Sequence, residues 1–130
     1  MKCIVVTPEK TVLDQEADMV VLPLYDGEYG VAPMHTPVIG RIGAGELRIK
    51  SAGESLESWY IEGGFAEVQN DIVSILTQKA VPVKNLDSAK AQSELEEVRK
   101  RPAKGEAQRS EKESALNKAR AKVRVASKKK

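Results

Sequence analysis

The sequence predicts a mainly β protein with an α appendage: a β-sandwich of nine or ten short strands over residues 1–84, then an antiparallel α-helical hairpin over residues 85–130. Three observations carry this. Before Asn85, short apolar runs recur at close spacing, each bounded by Gly, Pro, Asn or Asp, and none keeps a helical period. That pattern belongs to sandwiches and flattened barrels rather than to βαβ units. After Asn85, helix formers dominate, and only Pro102 and Gly105 break the run. Hydrophobic residues make up 41% and aromatics only 4%, so the core must be aliphatic.

The strands are expected in this order. Lys2–Thr7 is an apolar run stopped by Pro8; Thr11–Gln15 and Ala17–Pro23 follow, the latter centred on Met19-Val20-Val21-Leu22. Asp26-Gly27 opens a turn into a short strand, and Pro33 and Pro37 stiffen the extended loop around His35 by fixing φ. Val38–Ile42 is short and apolar, and Gly43-Ala44-Gly45 reads as a second turn. Glu46–Lys50 alternates strictly, Leu47 and Ile49 on one face against Glu46, Arg48 and Lys50 on the other, the mark of a half-buried strand. Glu57–Glu62 puts Trp59 and Ile61 on one face; Gly63-Gly64 allows a bend that side chains would resist. Phe65–Gln69, the Asn70-Asp71 turn, Ile72–Thr77 and finally Val81–Val83 complete the set.

The hairpin is expected as a helix of about 86–101, a turn at 102–105 and a helix of about 106–126, with Ser127 and three lysines as a frayed end. Asn85 or Asp87 can cap its start, because a short side-chain acceptor takes a free N–H of the first turn. Its apolar stripes are Ala91, Leu95 and Val98, then Leu116, Ala119, Val123 and Ala126. Burying each large side chain contributes roughly 1.5–3 kcal/mol, and isolated helices of this length are marginal in water. The hairpin is therefore weakly held beside a rigid sandwich.

Charge divides the same way. Residues 1–84 carry 7 Lys/Arg and 12 Asp/Glu; residues 85–130 carry 14 Lys/Arg and 7 Asp/Glu. An acidic body with a basic tail fits a tail that meets an acidic partner surface; it also fits a solvated, lysine-rich helical end. No run nears the length needed to span a bilayer, and the single Cys3 excludes an internal disulfide and fits a reducing compartment.

The residue inventory disfavours an enzyme. His35 and Cys3 are alone in their kinds, with no metal-ligand spacing, no nucleophile elbow and no paired carboxylates. Gly40-Arg41-Ile42-Gly43-Ala44-Gly45 lacks the GK[ST] ending of a phosphate loop and reads as hairpin glycines. Aromatics are not interleaved with Lys or Arg as nucleic-acid-reading sheets require. No cofactor and no metal are expected.

One segment carries a family resemblance. Tyr25-Asp26-Gly27-Glu28-Tyr29-Gly30-Val31-Ala32-Pro33-Met34-His35-Thr36-Pro37 resembles the signature of F-type ATP synthase epsilon subunits, a family homologous to chloroplast epsilon and mitochondrial delta. Other stretches match it in order: Cys3–Glu9, Gly45–Ile49, Tyr60–Val68, Val73–Leu76, and Leu86-Asp87-Ser88-Ala89-Lys90-Ala91 at the start of the hairpin. The detailed match covers roughly residues 1–91. Met34 stands where the family has Gly, and Lys90 where it has Arg.

The resemblance implies a non-catalytic coupling and regulatory subunit in the central stalk of a proton-translocating ATP synthase, peripheral at the cytoplasmic face of the bacterial plasma membrane. It implies contact with the membrane c-ring at Asp26, Gly27, Glu28 and Tyr29, and with the gamma subunit at Pro33, His35 and Pro37. It implies that the hairpin can lie folded on the sandwich or extend along gamma toward the alpha and beta subunits and inhibit ATP hydrolysis, with Lys118, Arg120, Lys122 and Arg124 then meeting an acidic stretch of beta. Asp87 and Lys90 match a motif that contacts ATP in some relatives; Lys90 lacks the bidentate fork of Arg, so binding there is expected to be weak. The alternative is a non-catalytic sandwich adaptor with a coiled-coil arm for another partner; a small hydrolase would need turnover by the chain alone.

Overall fold

A computed structural model describes residues 1–51 and 56–127. The chain divides into two compact units, Met1–Pro82 and Val83–Lys130.

The first unit holds ten strands: β1 (Lys2–Val6), β2 (Thr11–Glu16), β3 (Met19–Leu24), β4 (Gly27–Val31), β5 (Val38–Arg41), β6 (Ala44–Lys50), β7 (Glu57–Glu62), β8 (Phe65–Gln69), β9 (Ile72–Leu76) and β10 (Lys79–Pro82). They form two five-stranded sheets, ordered β2-β1-β9-β8-β5 and β10-β7-β6-β3-β4. Pairing is antiparallel except between β1 and β9. Alternation decides the core: Cys3 and Val5, Val20 and Leu22, Leu47 and Ile49, Ala66 and Val68, Val73 and Ile75 are all buried and cluster together with Ile61. Each pair is spaced by two residues, the period that sends alternate side chains to one face of a strand. The core is aliphatic, as the composition requires.

Glycines sit at two of the places where the chain changes sheet, between β5 and β6 and between β7 and β8. The expected Gly43-Ala44-Gly45 turn does not form: Ala44 and Gly45 already belong to β6, and only Ile42-Gly43 links β5 of one sheet to β6 of the other. The run 40–45 is thus a sheet crossing, not a hairpin. Close approach to the end of β3 explains it. A Cβ on Gly40 would lie 2.9 Å from Leu24 Cδ1, and one on Gly45 would lie 3.1 Å from Pro23 Cβ. Gly43 N–H donates to the Pro23 carbonyl at 2.9 Å. At the crossing between β7 and β8, Gly64 has φ +97°, and any Cβ there would overlap the Leu76 carbonyl oxygen. Buried Thr77 closes the crossing between β9 and β10: its backbone N–H donates to Val6 O and its hydroxyl to Glu62 O, both at 3.0 Å.

In the second unit, a 3-10 turn at Val83–Asn85 precedes α1 (Ser88–Lys100), and α2 spans Gly105–Ser127. The expected division after residue 84 falls instead after Pro82, because this turn belongs with the helices. Asp87, not Asn85, is the N-cap: its Oδ1 accepts from Ala89 N–H at 2.9 Å and from Lys90 N–H at 3.1 Å. Buried residues of α1 are Ala91, Leu95 and Val98, the expected stripe. In α2 they are Ala121, Val125 and Ala126, whereas Leu116, Ala119 and Val123 are only half-buried. The expected α2 stripe therefore missed Val125, whose burial widens the apolar arc beyond one row. The expected frayed lysines lie outside the described residues.

Candidate functional site

The chain from Tyr25 to Arg41 builds the candidate site. β4 runs from one end of the sandwich to the other, so the two halves of the signature segment lie apart. Tyr25-Asp26 forms the turn into β4 at the end shared with Arg41, Gly43 and Gly64. Tyr25 N–H donates to the Arg41 carbonyl at 2.7 Å, and the Arg41 guanidinium carbon stands 4.8 Å from the centroid of the exposed Tyr25 ring. Loop 32–37 lies at the opposite end, where Met34 N–H donates to Asp71 of the β8–β9 turn.

Strand alternation splits Glu28 from Tyr29. Glu28 is exposed, and its carboxylate meets Arg48 of β6 at 2.7 Å, across β3. Arg48 also meets Glu46 at 3.2 Å. Partial burial works against the Arg48 charge, but hydrogen bonds and Coulomb attraction from Glu28 and Glu46 outweigh it and raise its pKa. Tyr29 faces the other way and packs against the core. Its hydroxyl is 3.0 Å from His35 Nε2, and His35 Nδ1 is 2.7 Å from the Thr36 carbonyl. A carbonyl only accepts, so Nδ1 donates to Thr36, and in the neutral ring Nε2 then accepts from Tyr29. The rings meet edge-on, 5.5 Å apart at 75°. His35 is thus held from both nitrogens, while Pro33, Met34 and Pro37 beside it are exposed.

The sequence reading missed an apolar row that continues from this loop. Ile39 and Arg41 of β5, Phe65 of β8 and Leu76 of β9 all point away from the core; Arg41 pairs with Phe65, and Phe65 with Leu76. Ile39, Phe65 and Leu76 are 69%, 59% and 56% exposed, so three large apolar side chains share one sheet face. The signal was in β8: Ala66 and Val68 take the core phase, which throws Phe65 onto the face of Glu67 and Gln69.

In the second unit, the basic candidates divide. Lys122 Nζ is 3.0 Å from Glu94 Oε2 of α1 and is 17% exposed, so it locks the hairpin and is not presented outward. Lys118, Arg120 and Arg124 are exposed. Asp87 spends its Oδ1 on capping, and Lys90 is exposed one turn into α1. Among the described residues no group of three or more His, Cys, Asp or Glu could hold a metal ion, and no helix is long and apolar enough to cross a membrane.

Residues 1–83 match the family model for the ATP synthase delta/epsilon chain, beta-sandwich domain. The chain is 42% identical over 125 residues to an ATP synthase epsilon chain of Rhodopirellula baltica, covering 96% of this chain and 97% of that one. It is 38% identical to an ATP synthase epsilon chain of Syntrophobacter fumaroxidans over 98% of this chain and 96% of that one. Among solved structures, it superposes with a TM-score of 0.80 and 29% identity on a chain of the Euglena gracilis mitochondrial ATP synthase OSCP/F1/c-ring assembly, covering 92% of this chain and 76% of that one. A chain of the Tetrahymena thermophila mitochondrial ATP synthase central stalk and c-ring shares the fold at TM-score 0.78 and 14% identity, covering 97% and 96%.

Proposed function

The chain belongs to the delta/epsilon family of ATP synthase subunits, and from this we propose that it works as the non-catalytic epsilon subunit of a central stalk, coupling the rotor shaft to the membrane ring and braking ATP hydrolysis. It sits at the cytoplasmic face of the bacterial plasma membrane and reaches that membrane only through the complex.

The observation that carries the coupling role is the exposed apolar row Ile39, Phe65 and Leu76, continuous through β5 with the stiff loop that fixes His35. Contiguous apolar surface on a sheet face is a docking mark. Pro33, His35, Pro37 and this row form the gamma-binding face. Asp26 and Gly27, at the other end of β4, meet the polar loops of the c-ring, with Glu28 and the Tyr29–His35 bond fixing the strand between them. One rigid module thereby holds two partners, one along loop 32–37 and the outer face of β5, β8 and β9, the other at the turn into β4. Lys118, Arg120 and Arg124 supply the charge that meets the beta subunit, and Lys122 joins them only when it leaves Glu94.

Two experiments test this. Phe65→Glu places a charge in the docking row and should weaken binding of the purified gamma subunit about 30-fold, the effect of losing one buried aromatic anchor; unaltered binding would reject the face. Removing residues 88–130 and measuring ATP hydrolysis by the reassembled complex should raise activity. Equal activity at every nucleotide concentration would reject the brake.

A further inference from the structure

The two sheets leave an open seam between their edge strands β2 and β10, each of which pairs on one side only. One end of the seam is closed: Glu57 accepts from Gln15 Nε2 at 3.2 Å and from Trp59 Nε1–H at 2.9 Å, bridging β2 and β7. The other end opens into a cavity of about 440 Å³ lined by Thr7, Pro8, Glu9, Lys10, Val12, Trp59, Gln78, Lys79, Ala80 and Pro82. We propose that this cavity is a binding site for a small organic anion with one flat apolar face, such as an aryl phosphate or aryl carboxylate.

The volume lies within the range of small-ligand sites. Its lining has two parts. Val12, Trp59, Ala80 and Pro82 give an apolar wall, and the Trp59 indole is held in place because its one polar atom is already bound to Glu57. A fixed aromatic face favours a flat partner without a further entropy cost on the protein side. The rim carries Lys10 and Lys79, and among the described residues neither forms an ion pair. Glu9 is the one acid in the lining, so the rim is net cationic. Lys10 stands on a closed turn: its N–H donates to the Thr7 carbonyl at 3.3 Å, and Thr7 N–H returns a bond to the Lys10 carbonyl at 2.9 Å. Lys79 stands on β10, paired with Glu62 of β7. Both cations are therefore anchored on ordered backbone, and Gln78 adds a neutral amide beside them. This site shares no residue with the docking surfaces above and does not depend on them.

Trp59 is the only tryptophan in the chain, so its emission reads the cavity directly. The purified full chain is titrated with phenyl phosphate, with inorganic phosphate and benzyl alcohol as the anionic and apolar halves alone, and backbone amide shifts are followed in parallel. The proposal expects a saturable change in Trp59 emission with phenyl phosphate, shifts centred on Thr7–Val12 and Gln78–Pro82, and tighter binding than by either half. Losing both cations in a Lys10→Gln, Lys79→Gln variant, which keeps the fold because both side chains are exposed, should weaken binding about tenfold or more, the scale of charge-assisted bonds. A response that does not saturate, shifts elsewhere in the chain, or equal affinity in the double variant would overturn it.

Discussion

The carboxylate of Asp71 accepts a hydrogen bond at 2.8 Å from the backbone N–H of Met34, and both residues have positive φ, +61° and +68°. The bond ties loop 32–37 to the β8–β9 turn, and it pins Met34 in a left-handed conformation that crowds its Cβ against the carbonyl. Met34 is 86% exposed, so no packing offsets that strain. Met34→Gly should therefore stabilise the chain by about 0.5–1 kcal/mol, the relief of the left-handed strain less the greater freedom of Gly when unfolded. Met34→Ile should destabilise it, since a β-branched side chain resists this region most. Denaturant midpoints of the two variants decide; a Gly variant less stable than the parent would show that Met34 is not strained.

Gly64 is the position where the sandwich tolerates no side chain. A Cβ would overlap the Leu76 carbonyl and stand 2.9 Å from Thr77 Cα, and φ is +97°. Its neighbours are backbone atoms of the β9–β10 crossing and cannot rotate away. Gly64→Ala should cost about 3 kcal/mol or more, against about 1 kcal/mol for Gly27→Ala, where φ is strained but the space is empty. Urea unfolding of both variants checks the ordering.

Burial pushes the Cys3 thiol up to about 12, and the nearby charge of Glu57 adds to the shift. The unfolded thiol ionises near its ordinary value of 9.0. The folded state thus binds the proton more tightly, so stability from this group is full below about pH 9 and is lost as pH rises toward 12. Two outcomes follow. The folded chain should resist thiol reagents at pH 8 and react fully once unfolded. Stability should fall more steeply between pH 9 and 12 in the parent than in Cys3→Ala; matching slopes would contradict the burial argument.

Lys122 and Glu94 join the two helices at 3.0 Å, with Lys122 mostly covered and Glu94 40% exposed. Solvent at Glu94 screens the pair, so a double-mutant cycle of Glu94→Gln and Lys122→Gln should give a coupling of about 0.5–1 kcal/mol that shrinks with added salt. Zero coupling at low salt would remove Lys122 as the lock of the hairpin.

Much of the fold was legible locally. Strict alternation at Leu47 and Ile49, helical spacing at Ala91, Leu95 and Val98, and Asn70-Asp71 as a two-residue turn each depend on neighbours in the chain, and the structure shows them as read. The candidate site was legible as a segment but not as an arrangement. Nothing in Asp26–Pro37 states that its halves lie at opposite ends of a sandwich. The Gly40–Gly45 run was read as a hairpin because glycine marks a bend without saying which sheet the next strand joins.

The sequence by itself determined most of the strands and both helices, the buried side of strands that alternate strictly, and where the charge divides, because periods of two and 3.6 residues and turn chemistry act over a few residues. Only the tertiary structure decided which strands are neighbours. It set the Phe65 ring beside Leu76, Glu28 against Arg48, Tyr29 on His35 and Lys122 on Glu94. These contacts arise from strands pairing side by side within a sheet, from a loop folding back on its strand, or from packing two helices, and the order of strands in a sheet is not written in the local pattern of any one of them.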